Sequence, residues 1–117
     1  MDVAAMQEHC LAKPGAWADN PWGHDHPVVK VHTKIFAFLG AGGVGVKAGV
    51  DRDVADEWLQ RYPDDASVMA YIGRSGWNDL AFDGAIPDDE LLDAVDESYR
   101  LVVTKIAKKH RPTGWES

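Results

Sequence analysis

Three stretches of this chain carry residue types that could do chemistry. Gly40-Ala41-Gly42-Gly43-Val44-Gly45 has the look of a loop that cradles phosphate. Such loops work where their backbone N–H groups open a helix toward an anion. Here the glycines run into Val46-Lys47-Ala48-Gly49-Val50, which alternates as a strand does. The segment is therefore expected to be a glycine-rich hairpin turn, and no cofactor is assigned to it. His24-Asp25-His26 could set two imidazoles on one side of an extended segment. Zinc wants three or four ligands. His32 is the one evident third, and Cys10 is expected to be buried, so no metal is assigned. Asp88, Asp89, Glu90, Asp93, Asp96 and Glu97 fit a helix start and a solvated helix face. Neither a serine nor the cysteine comes with a His–acid pair. No catalytic constellation emerges, and the expectation is a protein that is not an enzyme.

Two binding surfaces remain. Lys30 and His32 are expected on one face of a strand, with Lys34 at the hairpin and Lys47 on the glycine face of a third strand. Arg74 falls in a turn, and Trp77 follows it. Cations beside aromatics on an open sheet are what a protein uses to track a nucleic-acid backbone. So few cations neutralise few phosphates, so DNA binding by this face would be weak and salt-dependent. The other surface is the loop carrying Trp22, His24 and His26, which could take a protein or a small ligand. Charge bears on the choice. There are 19 Asp and Glu against 12 Lys and Arg, a net charge of −7. As a monopole this repels nucleic acid. Between His26 and Val50, however, there is no acid at all, while Lys30, Lys34 and Lys47 are present.

The elements that must position these residues follow from periodicity. Val3, Met6, Cys10 and Leu11 recur at helical spacing, so residues 2–12 read as a helix with Cys10 on its apolar face, ended by Pro14-Gly15. Residues 16–23 read as a loop. Residues 27–33 and 34–39 alternate as two strands joined by a tight turn, and residues 44–50 as a third. Asp51 is the expected cap of a helix buried through Val54, Trp58 and Tyr62. Residues 67–72 and 77–82 read as two more strands. A final helix opens at Pro87 and runs to Lys109, with Leu91, Leu92, Val95, Tyr99, Val102, Val103 and Ile106 as its apolar face. Residues 110–117 are expected to fray. The order implies an α+β sandwich of two layers, an antiparallel sheet with helices packed on one face.

With 117 residues the chain suits a single domain, 1–117, with core enough to need no staple. No apolar run is long enough to span a membrane. The lone cysteine suits a reducing compartment. A monomeric cytoplasmic protein is expected.

Three segments carry a resemblance: Cys10 to Ala16; the run PWGHDHPVVKVHTKIFAFL from Pro21; and WNDLAFDGAIPDDELLDAVDESYRLVV from Trp77. In that order and at those separations they resemble the MmcQ/YjbR family, from about Cys10 to Ile106. The DG-x-hydrophobic-PDDEL run followed by Ser98-Tyr99 is the most specific part. The resemblance implies a CyaY-like fold, and with it the DNA-binding label that such proteins commonly carry. One place departs from the pattern. Many members have an Asn and a His before the tryptophan. Here Gly73 and Gly76 stand at those positions, while the basic position is kept as Arg74.

Overall fold

A computed structural model describes residues 1–116. Ser117, the last residue of the expected frayed tail, lies outside the described residues. Helix α1 (Val3–Leu11) leads into strands β1 (Ala16–Asp19), β2 (Val28–Val31), β3 (Lys34–Gly40) and β4 (Gly43–Lys47). Helix α2 (Arg52–Arg61), β5 (Ala66–Val68), β6 (Trp77–Ala81) and helix α3 (Asp88–Val103) complete the order. The six strands form one sheet in the order β1-β2-β3-β4-β6-β5, antiparallel at every pairing. The expected α+β architecture is what the chain adopts.

The helices cover one face of the sheet. Val29, Val31, Ala37, Leu39, Val44, Val46 and Leu80 point into that layer and meet Met6, Cys10, Leu91, Val95, Tyr99 and Val103. A bulge between Val29 and Lys30 lets β3 present both Phe36 and Ala37 to the core. Phe36 meets Tyr99 edge-on at 5.2 Å. The ladder of β3 with β4 ends at the Ala37–Val46 pair, and Ser98 bridges the two strands just beyond it. Its buried hydroxyl donates to the Phe36 carbonyl at 2.7 Å and accepts from the Lys47 amide at 2.9 Å. The Tyr99 hydroxyl donates to the Pro14 carbonyl at 2.6 Å. The Ser98-Tyr99 pair thus joins α3 to the sheet and to the end of α1.

Several sequence expectations need correction. Residues 16–19 form an edge strand instead of a loop. The strand expected over 67–72 stops at Val68, and the chain turns away from the sheet. Helix α3 ends at Val103, short of Lys109. There the Arg111 side chain donates to the carbonyls of Ile106 and Thr104, at 2.9 and 3.0 Å, and the chain folds back. The tail from 110 packs where fraying was expected: Trp115 lies against the core and Pro112 lies over Gly15. In α2 the fully buried residue is Ala55, while Val54 is 42% exposed. Asn78 sets this rotation, because its buried amide donates to the Ala55 carbonyl at 2.9 Å.

Candidate functional site: a groove on the uncovered sheet face

The alternation that sends Val44, Val46 and Leu80 inward sends Gly45 and Asp79 outward as cross-strand partners. Val28 and Phe38 pair beside them. Val28, Phe38 and Asp79 floor a groove of about 890 Å³ on the face the helices leave uncovered. One wall is the loop carrying Trp22, His24, Asp25 and His26. The other is the segment Met69 to Ile72. Among the described residues, no Lys or Arg lines it.

Each wall is held by identifiable contacts. Asn20 clamps the first. Its side-chain amide donates to the His24 carbonyl at 2.6 Å, and its side-chain oxygen accepts from the His24 amide at 2.9 Å. Gly23 takes the positive φ (+64°) that closes the loop. Trp22 is left 58% exposed, its ring 6.1 Å from that of His24. In the second wall the Ile72 amide donates to the Ala70 carbonyl at 2.8 Å across Tyr71, whose φ is +68°. That is a γ-turn of positive φ, a rare and strained turn. Its central side chain is fully exposed, at 101%. Strain of this kind persists where the surroundings impose it. Arg52 supplies part of that frame: it donates to the carbonyls of Gly73 (2.7 Å) and Trp77 (3.2 Å) and to the Asn78 side chain, while holding Asp56 at 2.7 Å.

At the floor, Asp79 Oδ1 and the Met69 thioether both crowd the space above Gly45. A Cβ placed there would lie 3.2 Å from the one and 2.7 Å from the other. The glycine face is thus covered by a side chain from the second wall. Desolvation raises the Asp79 carboxyl above the usual range. Trp77 meets Phe38 edge-on at 5.6 Å, so it braces the groove floor.

The sequence-derived cationic set lies elsewhere and is largely engaged. Lys30 pairs with Asp19 at 2.7 Å and sits over the Trp17 ring at 5.2 Å. Lys47 donates to the Ser75 carbonyl, and desolvation lowers its pKa. His32 is not a strand residue facing the same way as Lys30. It occupies the first position of the β2–β3 turn with φ +54°, where a two-residue hairpin turn favours glycine. Its ring stacks on His110 at 4.6 Å, and its carbonyl accepts from the Trp17 indole at 2.9 Å. Lys34 and Arg74 are exposed. The structure places Trp22, His24 and His26 of the loop reading along one wall of the groove. It adds Asn20, Phe38, Met69, Tyr71 and Asp79, which that reading missed. An acid in mid-strand opposite a glycine was the available signal for Asp79.

The two glycines that depart from the family pattern have a local cause. A Cβ at Gly73 would lie 2.2 Å from the Val68 side chain. Gly76 has φ +99°, and a Cβ there would meet the Gly49 carbonyl at 2.4 Å. The short turn Gly73–Ser75 packs too tightly on its neighbours for a side chain at either position.

Comparison with known proteins gives one consistent result. The chain is 25% identical over 117 residues to the uncharacterized protein YjbR of Escherichia coli K12, covering 95% of each. The match to the protein of that name from E. coli O157:H7 is the same. The fold is similar to the crystal structure of Deinococcus radiodurans protein DR2400, with a TM-score of 0.81. That match covers 94% of this chain and 85% of the other at 22% identity. The YjbR family model matches residues 11–101, most of the sequence, and the chain therefore belongs to the YjbR family.

Proposed function

We propose that this protein is a non-enzymatic binding module whose ligand site is the groove between the Trp22 loop and the Met69 to Ile72 wall. The observation that carries the reading is the groove itself. It is concave, mostly apolar, walled by two braced segments and large enough for a small molecule. The clamp by Asn20 lowers the ordering cost of binding. The alternative, weak DNA binding through Lys30, His32, Lys34, Lys47, Arg74 and Trp77, has less support. Lys30 and Lys47 are held by Asp19 and Ser75, and releasing them would offset part of any gain from phosphate contacts. The buried, unpaired Cys10 is consistent with action as a monomer in a reducing cytoplasm.

The test is NMR titration of the labelled protein with a panel of small aromatic compounds, and separately with a short DNA duplex at low and moderate salt. Shifts centred on Trp22, Phe38, Met69 and Ile72, lost in Trp22→Ala, are the expected result. Shifts driven by duplex at Lys34 and Arg74, steeply weakened by salt, with none in the groove, would overturn it.

A further inference from the structure

We infer that the groove selects an organic cation, a protonated amine or quaternary ammonium group on a small apolar body. The inference rests on the groove being a ligand site, and it names the class of ligand. Three observations converge. The first is charge: among the described residues the groove is lined by two carboxylates, Asp79 and Asp25, and by no Lys or Arg, on a chain of net charge −7. An anionic ligand would meet uncompensated repulsion there, and a cationic one would meet attraction. The second is the lining surface. Three aromatic residues, Trp22, Phe38 and Tyr71, line the space, and cations are drawn to aromatic faces, most strongly where water is displaced. The third is placement. Asp79 sits on the floor beside Met69 with no hydrogen-bond or ion-pair partner among the described residues. Its side chain is exposed at the groove surface, within reach of a ligand, and desolvation raises its pKa. A bound cation would give this carboxylate a partner, whereas a neutral ligand would cover it without one.

Three probes with the same branched body isolate the charge: choline, its uncharged carbon isostere dimethylbutanol, and the anion dimethylbutanoate. Each is titrated into the full chain while the Trp22 indole and Met69 methyl resonances are followed. Choline is expected to bind roughly tenfold more tightly than dimethylbutanol, and dimethylbutanoate more weakly than either. Asp79→Asn keeps the size and place of the side chain and should remove most of the difference between choline and dimethylbutanol without abolishing binding of the alcohol. Tyr71→Ala, at a fully exposed position, should weaken choline more than dimethylbutanol. Equal binding of choline and dimethylbutanol, or an Asp79→Asn variant that keeps the preference, overturns the cation inference and leaves the groove reading standing. The same holds if the aromatic panel binds and none of the three probes does. If neither the panel nor the probes move the groove resonances, both readings fall.

Discussion

At the scale of single residues, one wall of the groove carries a residue that does not serve stability. Tyr71 has a positive φ and buries nothing, so the fold gains neither packing nor relaxed backbone from it. A left-handed conformation costs an L-residue roughly 1–2 kcal/mol. Glycine would remove that cost while adding unfolded-state entropy of about 0.5–1 kcal/mol. Tyr71→Gly is therefore expected to stabilise the protein by about 0.5–1 kcal/mol in chemical denaturation, and to weaken the binding of aromatic or cationic probes. A loss of stability would mean that the ring has a structural partner in solution and that the strain argument is wrong. His32 is a contrasting case. It also has positive φ, yet its ring stacks on His110 and its carbonyl holds Trp17, so side-chain contacts offset the backbone cost.

At the scale of elements, the join between α3 and the sheet depends on one hydroxyl. Ser98 satisfies a carbonyl of β3 and an amide of β4 just beyond the Ala37–Val46 pair, where their ladder ends. Ser98→Ala leaves both backbone groups buried without a partner, which costs about 1–3 kcal/mol. The melting temperature should fall by several degrees, while Glu97→Ala, one residue away on the exposed side, should change little. Equal effects would show that the bridge carries no weight. The Ser98-Tyr99 pair was visible in the sequence as a family motif, but its purpose was not, because the end of the ladder it bridges has no local signature. The long helix and the strands β2 to β4 and β6 were legible because their apolar pattern marks buried elements, and α2 by its Asp51 cap, although its buried face was misread. Strand β1 was not. Both middle residues of Ala16–Asp19 are exposed, so pairing with β2, rather than a pattern of its own, makes it a strand. The apolar run from Met69 to Ile72 misled in the opposite direction. It looks like a buried strand, yet it leaves the sheet to form the groove wall. Half of the candidate site was legible for the same reason. The loop residues Trp22, His24 and His26 stand out by type, whereas Asp79 and Met69 gain meaning only from the register that sets them beside Gly45.

At the scale of the whole molecule, the apolar layer between helices and sheet gives most of the cohesion, and one polar cluster joins the first helix to the last. Asp96 on α3 accepts from His9 at 2.7 Å and from Lys13 at 2.5 Å, both from the region of α1. Burial pushes the Asp96 carboxyl up, but these two partners outweigh it and hold its pKa below the ordinary value of 3.8. The sign of the linkage follows. A carboxyl whose folded pKa is depressed stabilises the fold fully above its unfolded value, and loses that contribution as pH falls through the folded one. Asp96→Asn should therefore cost about 1 kcal/mol near neutral pH, a figure reduced by partial solvent screening. The difference from wild type should shrink as the pH falls below 3.8. Denaturation series at neutral and acid pH would display this as two stability curves that converge. A gap that stayed constant with pH would assign the loss to packing between α1 and α3 instead of charge. Such an outcome would also mean that the link between the first and last helices is carried by Met6 and Cys10 in the shared apolar core and by the Tyr99–Pro14 hydrogen bond.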